Sequence, residues 1–232
     1  MPLEISKIRA LCFDVDGTLS DTDDRWVQQV ERLLRPVRWF FPGRQVQPFA
    51  RWLVMGLETP GNFSYYLLDR LGLDDEAARI FGLFTKLRAR RPKSHWLLIR
   101  GIKEMLQVVQ RVYPLAIVSA RGERGILEFL NQFELRPFFS SVITAQTCEH
   151  TKPFPDPILR AAQEMGVSPQ ECVMIGDTPV DIRAGKAAGA QTVGVLCGFG
   201  REQELHRAGA DLILPSTADL AETLLLSNKI QF

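Results

Sequence analysis

The chain has 232 residues, 46% of them hydrophobic and 24% charged, and its net charge is +1. This is the composition of a folded globular protein; it excludes extensive disorder and offers no basic surplus for neutralising a nucleic-acid backbone. No apolar run approaches the ~18 residues of a membrane-spanning helix, and the opening stretch MPLEISKIRALCFD mixes acid and base where a signal peptide would be apolar.

In chain order, residues 8–13 (IRALCF) read as a short buried strand that ends at Asp14. From 21 to 93 the pattern is helical. WVQQVERLL, FARWLVMGL, SYYLLDRL and EAARIFGLFTKL carry apolar residues at three- and four-residue spacing, and prolines and glycines punctuate them. From residue 101 helices and strands alternate. The strands are LAIVSA, SVITA, CVMIG, TVGVL and LILP; GIKEMLQVVQRV, RGILEFLNQF, DPILRAAQEMG, DIRAGKAAG, REQELHRAG and ADLAETLLL are helical. Short apolar strands between amphipathic helices predict an α/β fold, a doubly wound parallel sheet covered on both faces. The helical stretch interrupts the alternation after the first strand. Residues 1–20 and 97–232 are therefore expected to form the core, and 21–96 an inserted helical domain.

Four cysteines, Cys12, Cys148, Cys172 and Cys197, form no C-x-x-C pair and read as unreactive thiols of a reducing cytoplasm. Cys148-Glu149-His150 does not read as a metal site, because adjacent side chains splay apart and no second cluster completes the ligand set.

Ligands of open α/β sheets bind beyond the carboxyl ends of the strands. There the sequence puts Asp14-Val15-Asp16-Gly17-Thr18 after the first strand and Ser119-Ala120-Arg121 after the second. Lys152 comes shortly after the third, and Asp177-Thr178-Pro179-Val180-Asp181 after the fourth. Each has an ordinary structural explanation. Ser119 could cap the next helix, Lys152 could be a solvated loop lysine, and Thr178, Pro179 and Asp181 suit a helix start with a capping acid. Asp14 and Asp16 are harder to explain, since they are two carboxylates at a strand end with no cation close in sequence, and a positive group is expected there. Asp14, Asp16 and Asp177 offer hard oxygen ligands suited to Mg²⁺. Phosphate-monoester hydrolysis is slow enough unaided to need a nucleophile, a metal and positive charge together, and this rim offers all three.

These residues resemble the haloacid-dehalogenase-like (HAD) hydrolase superfamily. Its four motifs correspond to DVDGTL (14–19), IVSA with Ser119, TKPFPDP with Lys152, and GDTPVD (176–181). KPFPDPILRAAQEMGV, GDTPVDIRAGKAAGA and GVLCGFGREQELHRAGADLIL look like its phosphoglycolate phosphatase group. The resemblance implies a Rossmann-like core with a C1 cap inserted over 21–96. It also implies a phosphatase of small phosphorylated metabolites that works through an aspartyl phosphate on Asp14. Asp16 would be acid and then base, with its backbone carbonyl on the metal. Asp14 and Asp177 would bind Mg²⁺. Ser119 and the Ala120 N–H would hold phosphoryl oxygens, Thr18 would fix the loop, Lys152 would neutralise charge, and Asp181 would hold a metal water or orient Lys152. An acid at position 16 disfavours dehalogenases and phosphonate-cleaving relatives, whereas a phosphosugar mutase using the same intermediate stays open. So do a phosphorylated switch like a receiver domain and an inactive binding protein. The expected cap is rich in aromatics and arginines. That suits a helical core with a solvated basic face, an anionic or aromatic leaving group, or, at Trp39-Phe40-Phe41, a partner patch. Substrate and oligomeric state are not legible.

Overall fold

The computed structural model describes residues 3–21 and 96–226, with Arg32, Leu34, Arg35 and Trp39 as isolated positions. Most of the expected cap, its helices and nearly all of its arginines and aromatics included, lies outside the described residues.

All six expected strands form: β1 (Ala10–Phe13), β2 (Leu115–Val118), β3 (Ser141–Ile143), β4 (Cys172–Gly176), β5 (Gln191–Val195) and β6 (Leu212–Leu214). They make one parallel sheet in the order β3-β2-β1-β4-β5-β6. The chain therefore winds outward from β1 in one direction through β3, then returns to start again at β4. The gap between β1 and β4 is the topological switch point, where such sheets open a crevice.

Alternation along the strands explains why both faces are covered. Leu11 and Phe13 of β1, with Leu115, Ile117, Val173, Ile175, Val193 and Val195, face one side. Against them pack α1 (Ile102–Val109), α2 (Glu123–Gln132) and α6 (Leu220–Leu226). Ala10, Cys12, Ala116, Val118 and Met174 face the other side, where α3 (Asp156–Met165) and α4 (Pro179–Ala187) pack. Next to them α5 (Glu202–Ala208) brings Leu205 over β5 at Gly194. The second face is built from small residues, so its helices approach closely. Gly185 of α4 sits so near Met174 and Thr192 that a Cβ there would lie 2.6 Å from the Thr192 methyl. That contact seats α4, and with it Asp181 in its first turn, against the switch point.

The described residues on either side of positions 22–95 lie side by side. Ser20 and Leu98 form an antiparallel bridge, the Asp21 N–H donates to the Leu97 carbonyl at 2.8 Å, and the Ile99 N–H donates to the Leu19 carbonyl at 3.0 Å. Trp96, at the end of the expected cap range, packs in the core against Phe129 with ring centres 5.1 Å apart. All four cysteines are free thiols. No helix of the described residues is long and apolar enough to cross a membrane.

Candidate active site

β1 and β4 run side by side with Phe13 opposite Ile175, and the ladder continues one step as the Asp14 N–H donates to the Ile175 carbonyl at 2.9 Å. Asp14 thus leaves the sheet beside the exit of β4, which delivers Asp177. Asp181 comes down from α4. One carboxylate oxygen from each of Asp14, Asp177 and Asp181 lies within 4.8 Å of the other two, and all three residues are buried. Lys152 completes the group from the loop after β3. Its Nζ donates to Asp14 Oδ1 at 2.7 Å and to Asp181 Oδ1 at 2.6 Å, and the residue is 4% exposed. It is therefore not a solvated loop lysine.

Asp181 has two tasks. Its Oδ2 accepts from the Thr178 N–H at 3.0 Å and the Thr178 hydroxyl at 2.6 Å, while Oδ1 holds Lys152. The helix-start explanation and a place in the site are both true of it, and the cap fixes where the carboxylate points. The capping explanation of Ser119 fails. α2 is preceded by Gly122, and Ser119 Oγ instead accepts the Arg121 N–H at 3.2 Å.

Asp177 is held on every side. Its Oδ1 accepts from the Thr18 hydroxyl at 3.3 Å and its Oδ2 from the Phe199 N–H at 2.7 Å. A Cβ at Gly17 or Gly198 would collide with its carboxylate, and one at Gly200 with its carbonyl. Gly17 also has φ +73°, the left-handed conformation of the turn that follows Asp16. The Gly198→Ala protein is expected to be destabilised by about 1–3 kcal/mol, since neither the Asp177 carboxylate nor the Gly17 carbonyl can give way cheaply. A thermal melt in which Gly198→Ala matched wild type would contradict this close packing.

The positive groups expected beside Asp14 and Asp16 are present. Lys152 pairs with Asp14, and Arg121 donates through Nε to Asp16 Oδ2. The partners lie more than a hundred residues away, beyond the reach of a local reading. The Asp16 carboxylate is not part of the three-acid cluster found among the described residues; it faces Arg121. Sequence reasoning assigned no role to Arg121, to Trp96 beneath it, or to the Gly198-Phe199-Gly200 loop. The signal for the loop was its two glycines, which flank the residue whose N–H binds Asp177.

Among the described residues, four carboxylates, Asp14, Asp16, Asp177 and Asp181, lie with two cations, Lys152 and Arg121. Burial pushes the Asp14 carboxyl up to about 7; the Lys152 charge opposes this, and the Asp181 and Asp16 carboxylates add to it. Burial alone would lower Lys152, but attraction to Asp14 and Asp181 wins and holds it well above the ordinary lysine value. The buried all-oxygen donor set of Asp14, Asp177 and Asp181 fits a small divalent cation such as Mg²⁺. Zinc, which favours nitrogen and sulfur, fits poorly. His150 near Cys148 pairs with Asp156 at 3.1 Å and joins no metal-like cluster among the described residues.

Comparison with known proteins adds a family. Residues 11–195 match the family described as haloacid dehalogenase-like hydrolase. The pyrophosphatase PpaX of Bacillus pumilus is 28% identical over 219 residues, which cover 93% of this chain and 95% of that protein. The phosphoglycolate phosphatase of Escherichia coli K12 is 27% identical over 237 residues, covering 94% and 92%. Among solved structures, a hydrolase from Pseudomonas syringae superposes with a TM-score of 0.72 at 24% identity, covering 94% of this chain and 98% of that one. This last likeness is one of fold.

Proposed function

Because this chain belongs to the haloacid dehalogenase-like hydrolase family, we propose that it is a Mg²⁺-dependent phosphatase that hydrolyses a small phosphorylated metabolite through a covalent phosphate on Asp14. The observation that carries this reading is the buried Asp14–Lys152–Asp181 chain at the switch point, with Asp177 alongside. It gives a carboxylate nucleophile, a cation to screen it from an incoming dianion, and a buried cluster of acidic oxygens.

In this reading an Asp14 oxygen attacks phosphorus while protonated Asp16 gives its proton to the leaving oxygen. Water then attacks the phosphoaspartate and Asp16 takes a proton back. Lys152 neutralises charge shared by Asp14 and the phosphoryl group, and Asp181 keeps the lysine aimed. The Ser119 hydroxyl and Ala120 N–H receive phosphoryl oxygens. Thr18 holds Asp177 in place. The Asp14 and Asp177 carboxylates and the Asp16 carbonyl would hold Mg²⁺, which when bound supplies positive charge for the phosphoryl oxygens. Residues 21–96 would form a cap over the site, consistent with the backbone hydrogen bonds that join residues 19–21 to 97–99. A phosphoglycolate-like phosphomonoester is the preferred substrate class, on the likeness to phosphoglycolate phosphatase, with the cytoplasm as the compartment, on the four free thiols.

The test is a panel of phosphoglycolate, pyrophosphate and phosphosugars, assayed for released phosphate with and without Mg²⁺. Mg²⁺-dependent release that matches substrate loss supports a phosphatase. A phosphosugar consumed without phosphate release would support the mutase reading, and no turnover at all would count against both.

The Asp14 shift predicts a pH dependence. A proton on Asp14 competes with the metal, so Mg²⁺ affinity should fall about tenfold per pH unit below about 7 and level off above it. For the metal-free protein the sign is reversed from the usual carboxylate case. The folded-state value lies above the ordinary aspartate value, so the native state holds the proton longer, and stability from this group declines as pH rises from about 4 to 7. Calorimetric titration with MgCl₂ from pH 5.5 to 8.5 checks the first statement; an affinity that does not change with pH would contradict it.

A further inference from the structure

One contact in the site has no part in the reaction as written above. Arg121 Nε–H donates to Asp16 Oδ2, and the guanidinium carbon lies 4.7 Å from the centre of the Trp96 ring. Both ends of this stack are fixed. The Arg121 N–H is bound to Ser119 Oγ, and its carbonyl accepts the Ala145 N–H at 2.9 Å. Trp96 is 3% exposed, wedged against Phe129, and its carbonyl accepts from Gln132 Nε2 at 3.3 Å. Its indole N–H is buried and has no acceptor among the described residues. A buried indole with its N–H unused contributes its ring alone, and the ring face carries the arginine.

We propose that Arg121, seated on Trp96, is a positioning residue that aims the Asp16 carboxylate at the water that hydrolyses the phosphoaspartate. The inference rests on the phosphatase reading. In that reading Asp16 serves once as an acid and once as a base, and a guanidinium pairs with the carboxylate, which is the base. In the second step the water oxygen bonds to phosphorus. The bond from phosphorus to the Asp14 oxygen breaks, its electron pair returns to the Asp14 carboxylate, and one water proton passes to Asp16. Water must approach in line with the breaking bond, so the base must point along a single direction. A planar guanidinium clamped on an aromatic face fixes that direction, whereas a lysine on a flexible stem does not.

The experiment uses radiolabelled p-nitrophenyl phosphate, whose leaving group needs little help from an acid. Steady-state rates are combined with acid quenching to measure phosphorylated protein. Arg121→Gln is expected to lower kcat at least about tenfold, with KM falling in proportion, and kcat/KM should stay within about threefold of wild type. The phosphorylated fraction at steady state should rise. Trp96→Phe, which keeps an aromatic ring in the core, should shift both quantities the same way by a smaller factor, and Arg121→Lys should not restore wild-type turnover. Parallel loss of kcat and kcat/KM with no gain in phosphoprotein would overturn the proposal and assign Arg121 to the fold or to substrate binding. Wild-type protein that forms no phosphoprotein and releases no phosphate would remove the phosphatase reading itself.

Discussion

Replacement of Asp14 by asparagine is expected to lower phosphatase activity by at least about 10⁴-fold while leaving the metal-free protein as stable as wild type or more so. The loss follows from chemistry, since an amide oxygen is a poor nucleophile and no neighbouring group in the cluster can take its place. The stability follows from the electrostatics. In the wild type, burial and two neighbouring carboxylates disfavour the Asp14 charge, and asparagine removes that charge while its side-chain oxygen can still accept from Lys152. Active residues are commonly held at such a cost to the fold. Phosphate-release assays and thermal melts in EDTA check the two halves. An Asp14→Asn protein that melts well below wild type without metal would show that Asp14 serves the fold rather than the reaction.

Lys152→Met should be costly in both respects. Lys152 is the cation that separates Asp14 from Asp181, with both contacts under 3 Å and almost no exposure. Breaking a buried ion pair from one side costs about 3–5 kcal/mol, because the partner charge is stranded. Here the cost has a ceiling, since a carboxyl already pushed up to about 7 can take up a proton instead. The variant should therefore lose about 3 kcal/mol near neutrality, a drop of about 6–12 °C in Tm, and more at higher pH where that proton is harder to keep. Activity should fall about 10²–10³-fold from loss of charge stabilisation. Melts at pH 6 and pH 8.5, together with phosphate release, test this. A Lys152→Met protein whose destabilisation shrinks as pH rises would contradict the assignment.

Much of this site could be read from the residues because its parts fall at strand ends. The apolar strands, their alternation with helices, and the acids just beyond Phe13 and Gly176 are local features, and the sheet carries them to one rim without further information. The Thr178-Pro179-Asp181 start of α4 was likewise local, and it foretold the capping geometry that Asp181 shows. What stayed hidden depends on tertiary approach. Nothing near Asp16 in the chain announces Arg121, and the stack of Arg121 on Trp96 joins the end of the inserted stretch to the loop after β2. The Phe199 N–H binds Asp177 from a loop whose spacing resembled a familiar pattern but carried no stated role. The strand lengths differ for a related reason. The apolar run begins at Ile8, but ladder pairing begins at Ala10, where Cys172 of β4 first lies opposite.

On the proposed mechanism the phosphoryl group spends part of each turnover on Asp14. Wild-type protein is to be mixed with Mg²⁺ and radiolabelled p-nitrophenyl phosphate, quenched in acid during turnover, digested, and mapped for label. The label is expected on the peptide carrying Asp14, and it should vanish with EDTA and in Asp14→Asn. Phosphate released at the full rate with no labelled peptide, or label confined to another residue, would rule out a covalent phosphate on Asp14.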